Sequence, residues 1–428
     1  MCGPLYPGIL LVLTSSQRPH EWRRSSRNVR VIVIGAGFAG ACAAYFFRLR
    51  GATVTVVESG PQAGGMLRTY QTHGGHRYEY GPRVLSVFRG TQNGLDFVGR
   101  FVELEERDIY QGTLLRPGYD PIPFPVDRQS LARIPDGEAI LAEMARFEGH
   151  ARDETNLRTY LETSVGPTLT ELAFEGFNRK FWGRALDDMP ASWGKLRRLE
   201  RIAEVGSYRL PSVAPHYYPK GGFNPLVEQL LQGVTIRYGV AVSRVESSQA
   251  GPLVHCGGST LQADLVISTA PIDELLDYRF GALEWKGYRI ETIIEEQLTL
   301  GRAPDGVPFA WLYSPWPETP VCRTTDFGVI HQGRERRKPG VVLREIPDAN
   351  VRMYPVPWEE HRFAKYLNVT ATIPGLIPLG RLGLYKYVTT DSTYAMVERL
   401  FEALPQYWTS GAEERLALLK MVRGDWSN

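Results

Sequence analysis

Glycines, small residues and one carboxylate recur here at a spacing that carries chemistry. Gly35-Ala36-Gly37-Phe38-Ala39-Gly40 follows the β-branched run Val31-Ile32-Val33-Ile34 and precedes small and apolar residues at 41–50. A buried parallel strand that enters a helix through G-x-G-x-x-G forms a pyrophosphate cradle. Gly35 allows the tight turn, Gly37 lets a pyrophosphate approach the backbone, and Gly40 lets helix and strand pack closely. Phe38 and Ala39 open the helix, whose first N–H groups are free for phosphate. Gly51-Ala52 breaks the helix, and residues 53–57 read as a second strand ending at Glu58, with Ser59 next. A carboxylate at that distance meets a ribose hydroxyl. A glycine turn that binds nothing would account for the glycines but not for Glu58. The order therefore predicts a dinucleotide held by Gly35, Gly37, Phe38, Ala39, Gly40, Glu58 and Ser59.

These residues need a framework, and the 428 residues suffice for about two or three domains. A formal net charge of +2 gives no broad basic surface, so nucleic acid is not an expected partner. Aromatic residues make up 11%, which suits a pocket for a flat or sugar ligand and equally suits ordinary packing. Cys2, Cys42, Cys256 and Cys322 show neither metal-ligand nor redox-pair spacing, so no metal is expected and a reducing cytoplasm is the natural compartment. Cys42 reads as a small core residue. Residues 8–14 are apolar but too short to span a bilayer, and no positive segment precedes them. Residues 1–28 read as an extension, flexible at least in part, or as an upstream start; no membrane partner is expected.

Along the chain, Gly74-Gly75-His76-Arg77-Tyr78-Glu79-Tyr80-Gly81 reads as a short hairpin, and the prolines at 121–125 keep that stretch extended. Residues 126–209 show helical spacing without strand rhythm. A helix is expected at 224–231 and strands at 235–238, 240–245 and 265–268, rejoining the first domain. Residues 291–300, 308–313, 328–331 and 341–346 have strand character and suggest a second, largely antiparallel sheet. Residues 377–384 read as strand then turn, and 392–404 as a closing helix. The fold class is α/β: a Rossmann-like nucleotide-binding domain (29–125, 216–285, 366–428), a helical-bundle insertion (126–215) and an antiparallel sheet domain (286–365).

Gly64-Gly65-Met66, just past the ribose-binding acid, resembles the FAD-binding flavoproteins of the amine-oxidase type. That resemblance implies FAD and adds Gly65 and Met66 to the cofactor site. Further motifs resemble the UDP-galactopyranose mutase family over residues 29–404. Thr269-Ala270-Pro271-Ile272-Asp273 with Asp277-Tyr278-Arg279-Phe280-Gly281-Ala282-Leu283-Glu284-Trp285 is similar to its T-G-P-I-D…DYRFG-x-L-x-[YW] segment. Gly380-Arg381-Leu382-Gly383-Leu384-Tyr385-Lys386-Tyr387 is similar to G-R-L-x-x-Y-K-Y near the flavin. Lys180-Phe181-Trp182-Gly183 resembles K-x-W-G, and Met353-Tyr354-Pro355-Val356 resembles Y-Y-P-V.

The resemblance implies an isomerase that works with reduced FAD. Flavin N5 attacks the anomeric carbon of a nucleotide sugar and the diphosphate departs. The sugar opens, recloses through another hydroxyl and takes the diphosphate back as its bond to N5 breaks, with no net redox. It implies a nucleoside-diphosphate sugar as partner and hints at a homodimer. It assigns Arg381 and Arg323 to diphosphate or to the flavin–substrate region, with Gly380 beside the flavin. Tyr354 and Tyr387 would bind phosphate, and Trp182 would stand at the edge of the site. Arg197, with Arg198 as the neighbouring choice, would close over substrate from a mobile loop at 191–201. Fixed cations suit a leaving diphosphate. The plain alternatives are solvated arginines, a tyrosine and tryptophan in the core, and a basic helix face. Tyr385 and Lys386 read as packing and surface.

The sequence also departs from the family pattern. Arg83 and Ser86 stand where Y-G-A-H-I-F-H-T has histidines, Thr389 where an acid follows K-Y-Y, and Arg179 where an acid is usual. Arg83 is therefore an added cation, either facing cofactor or substrate or swung outward onto a surface acid. Sugar and base stay open. The rival readings are a flavin amine oxidase or desaturase, and an inactive FAD- or nucleotide-sugar-binding homologue.

Overall fold

The computed structural model describes residues 29–86, 92–197, 216–295, 300–333 and 338–424. Strand β1, Arg30–Ile34, is the centre of a five-stranded parallel sheet. It pairs with Leu265–Ser268 on one side and with β2, Thr53–Glu58, on the other; Leu376–Pro378 and Thr235–Tyr238 are the edges. Alternate side chains of β1 serve different layers, as strand geometry requires. Val31 and Val33 pack with helix α1, Phe38–Leu49, through Ala41, Ala44 and Phe47. Ile32 and Ile34 pack with Val245, Val254 and Cys256 of a three-stranded antiparallel sheet. Both faces are covered, which is why β1 reads as an unbroken apolar run. The strand near 240–245 is Val242–Glu246, and it belongs to that smaller sheet rather than to the parallel one.

Helices Gly137–Ala145, Leu157–Val165, Pro167–Thr170, Gly176–Trp182 and Ala191–Arg197 make up the helical part, with one wide turn at Glu171–Glu175. A six-stranded sheet lies in the order Tyr288–Glu295, Gly340–Pro347, Arg323–Asp326, Phe309–Tyr313, Tyr110–Thr113, Ile122–Pro123. Its pairs are antiparallel except Phe309–Tyr313 with Tyr110–Thr113. The chain thus enters this sheet before residue 125, earlier than expected, because the pairing partner lies about two hundred residues away and leaves no local mark.

Two expectations are corrected here. Residues 328–331 are not a strand but part of a helix, Phe327–Gln332, because the Asp326 carboxylate accepts from Val329 N at 3.1 Å and caps it. The chain closes on two helices, Thr390–Thr409 and Ala412–Arg423, rather than one. None of the described helices is long and apolar enough to cross a membrane.

Candidate active site

The glycine turn between β1 and α1 is tight where sterics demand it and open where a ligand would stand. Gly35 has φ +96°, and a Cβ there would lie 2.2 Å from Thr269 Oγ1. A Cβ on Gly40 would lie 2.0 Å from Gly35 O, so helix and turn touch through backbone. A Cβ on Gly37 would meet nothing nearer than Gly65 Cα at 3.9 Å. Gly64 N donates to Ala36 O at 2.9 Å, which sets the Gly64-Gly65 turn opposite Gly37. No side chain caps α1 at Gly37, so its N-terminus faces this opening. Glu58 fastens the turn: Oε2 accepts from Ala36 N at 2.7 Å and Oε1 from Gly60 N at 2.8 Å. Phe38 turns its ring into the core, leaving only its backbone for a ligand. Ala39 packs under Gly380, and Ser59 is exposed.

Met66 leads from this cradle to a cluster of arginines and tyrosines. Arg381 donates from Nη2 to Val388 O at 2.5 Å and from Nη1 to Met66 Sδ at 3.6 Å. Its guanidinium lies 5.0 Å from the Tyr354 ring centre and 5.2 Å from that of Tyr387, and these two rings stack at 5.6 Å. Arg83 donates from Nε to Met66 O at 3.1 Å and from Nη2 to Tyr80 O at 2.7 Å. It therefore points inward, and the outward alternative is not found. The loop that carries it is keyed to the sheet, because Tyr80 and Tyr288 each donate a hydroxyl to the other's carbonyl, at 2.6 and 2.9 Å.

Arg323 differs from both. It and Glu345 are register partners on adjacent strands, and they form a two-pronged ion pair at 2.9 and 2.7 Å. Burial raises the Glu345 carboxyl above its usual range, and Arg323 opposes that. Among the described residues, Arg83 and Arg381 have no carboxylate partner. Burial, with Arg83 nearby, holds Arg381 below the usual guanidinium range. Burial works against Arg83 too, but Tyr288, Tyr354 and Glu345 outweigh it and hold its pKa high. Both arginines are deeply embedded yet keep part of their surface accessible, as cleft walls do. Like charges this close are costly without an anion between them.

The helical part supplies a wall. Trp182 is buried, with Trp193 at 4.8 Å and Tyr354 at 6.3 Å. Two residues earlier on the same helix, Lys180 Nζ is ringed by the carbonyls of Ser314, Trp316, Thr319 and Val321 at 2.6, 2.9, 3.2 and 2.9 Å, among which its three N–H groups are shared. Burial pushes its pKa down to about 8. Lys180 thus shapes the loop that leads into Arg323. Arg197 ends the helix Ala191–Arg197; its side chain and residues 198–215, Arg198 among them, lie outside the described residues.

Two departures from the family pattern are local. Arg179 is exposed and pairs with Glu175, and Thr389 caps Thr390–Thr409. Lys386 is buried rather than on the surface. Sequence reasoning missed Glu345, although an acid inside the apolar strand Gly340–Pro347 is itself a sign of a buried cationic partner.

A glycine turn joined through Met66 to two arginines without a carboxylate partner among the described residues defines an α/β protein with a Rossmann-like nucleotide-binding domain. The chain belongs to the UDP-galactopyranose mutase family: residues 172–387, just over half of its length, match the family's model. Residues 33–101 match an NAD(P)-binding Rossmann-like domain. The UDP-galactopyranose mutase of Mycoplasma pneumoniae is 24% identical over 405 residues, covering 85% of this chain and 93% of that protein. A dTDP-fucopyranose mutase of Escherichia coli is 22% identical over 385 residues, covering 85% and 94%. A crystal structure of reduced UDP-galactopyranose mutase shares the fold, with TM-score 0.71 and 16% identity over 93% of this chain and 100% of that one.

Proposed function

We propose that this protein is an FAD-dependent mutase that interconverts pyranose and furanose forms of a nucleoside-diphosphate sugar. The observation that carries this reading is the pair Arg83 and Arg381, unmatched by any carboxylate among the described residues and meeting at Met66 on the cofactor loop. A flavin cofactor accords with the family, and the absence of side chains at Gly37 and Gly65, whose backbones meet at the turn, supports a close approach of pyrophosphate there. Gly35, Gly37, Gly40 and Gly65 would hold that pyrophosphate, and Glu58 the turn around it. Bound FAD in its reduced form supplies a nucleophilic ring nitrogen for chemistry at an anomeric carbon without net redox.

The chain's own residues supply charge, orientation and dryness. A nucleoside diphosphate ester carries one negative charge for each of Arg83 and Arg381. As the diphosphate departs and its charge grows, those fixed cations stabilise it. Tyr354 and Tyr387 stack on each other beside the Arg381 guanidinium and orient it, and their phenols suit phosphate oxygens without adding charge. Arg323 is already neutralised by Glu345, so it sets the local field rather than serving as a free phosphate ligand. Trp182 and Trp193 exclude water from the same side. UDP-galactose and dTDP-fucose, the sugars named for the relatives, are the first candidates.

The test is incubation of flavin-replete protein with a panel of nucleoside-diphosphate pyranoses, with and without dithionite, and chromatographic detection of furanose products. Isomer formation only with reduced flavin is expected. Products formed only with oxidised flavin and oxygen would replace this reading with an oxidase.

A further inference from the structure

The turn that carries Arg381 and Tyr387 is held from outside the site. It follows the short helix Gly380–Gly383, and within it Tyr385 takes φ +45°. Residues other than glycine rarely adopt this left-handed conformation, and it persists only where neighbours over-determine it. Here they do. The Tyr385 hydroxyl donates to Glu284 O and accepts from Val356 N, and its ring stacks on Phe363 at 5.7 Å.

Arg423, in the last turn of Ala412–Arg423, is only 7% exposed. Its Nε donates to Leu384 O at 2.8 Å, and Nη2 donates to Tyr385 O at 3.1 Å. Nη1 and Nη2 also grip the Glu360 carboxylate at 2.6 and 2.7 Å, and the guanidinium lies 4.4 Å from the Phe363 ring centre. In return, buried Lys386 donates from Nζ to Arg423 O at 2.8 Å. Helix end and turn are therefore bonded in both directions. Arg381 bridges the turn by its bond to Val388 O, and Tyr387 stacks on Tyr354 beside it. The conformation of the turn thus sets where the Arg381 guanidinium and the Tyr387 ring stand.

We propose that Arg423 is a positioning residue for the anion site: it touches neither cofactor nor substrate and acts by locking the strained turn 384–387. The proposal rests on the reading of Arg381 as an anion-binding residue. The helix bearing Arg423 lies beyond residues 172–387, the part matched to the family.

The test is a double-mutant cycle on UDP affinity, measured calorimetrically with flavin content and melting temperature recorded in parallel. Arg423→Met keeps the stem's packing on Phe363 and removes the donors. It is expected to weaken UDP binding about tenfold with flavin content retained. In an Arg381→Met background the same change is expected to cost little more, because both act through one guanidinium. Arg423→Lys, which keeps a charge for Glu360 but cannot reach both carbonyls at once, should show the same loss and replaces Arg423→Met should that variant not fold. An unchanged UDP affinity, or a loss that adds in full to that of Arg381→Met, overturns the positioning role. Unchanged affinity in Arg381→Met alone would instead overturn the reading of the site.

Discussion

Arg83→Met probes the charge balance on which the proposed chemistry depends. Without ligand, two effects oppose each other. The variant loses the bonds to Met66 O and Tyr80 O, and it relieves the repulsion that Arg83 exerts on Arg381. Methionine keeps most of the side-chain volume, so the fold should change little, with the melting temperature moving by no more than about 2–4 °C. With UDP bound, the cancellation ends. The diphosphate loses a charge-assisted partner worth about 1.5–3 kcal/mol. That corresponds to roughly a tenfold to hundredfold rise in Kd. Because the site is embedded, the ratio between wild type and variant should survive added salt, unlike a surface charge effect. Arg83→Lys should fall between them, since it keeps the charge but not the fork. The assay is calorimetric titration of UDP into flavin-replete protein. A flavin-replete, normally melting Arg83→Met that binds UDP as tightly as wild type would refute the reasoning and leave Arg83 as a loop anchor.

Two further predictions concern the cradle and alkaline pH. Gly40→Ala places a Cβ 2.0 Å from Gly35 O and should destabilise the β1–α1 junction. Gly37→Ala meets nothing within 3.9 Å and should fold normally while losing flavin; equal melting temperatures and equal flavin contents in the two variants would contradict this. Burial pushes the Cys322 thiol up to about 12 and holds the phenols of Tyr218, Tyr288, Tyr385, Tyr394 and Tyr407 above their ordinary 10.0. A raised folded pKa gives stability that is complete below the unfolded value and is lost as pH rises through the folded one. Lys180 acts oppositely between its lowered value of about 8 and 10.5, because there the unfolded chain binds the proton that the buried amine has released. The unfolding free energy should therefore decline above about pH 10.5, with these phenolates appearing only as the protein unfolds; their ionisation in folded protein at lower pH would count against the burial argument.

The sequence alone determined what short-range geometry determines. A strand, a glycine turn, a helix and an acid at fixed spacing make a cradle wherever they fold, so Gly35, Gly37, Gly40 and Glu58 were legible without coordinates. Even there, the sequence does not show that the Phe38 ring belongs to the core, which leaves only its backbone at the turn. Arg381, Tyr354, Tyr387 and Trp182 were legible through resemblance, and the structure brings them together. Periodicity failed at residues 328–331, where β-branched character pointed to a strand but the Asp326 cap, three residues from the N–H it accepts, made a helix. The rest belonged to the tertiary structure. It turned Arg83 inward, consumed Arg323 on Glu345, drew the carbonyls of residues 314–321 around Lys180, and set Arg423 against the turn at 384–387. A charged side chain shows its type in the sequence but not its partner. Whether it is spent on a carboxylate, tied to a carbonyl or left for a ligand depends on which distant strands and helices meet, and burial then decides how much that pairing is worth.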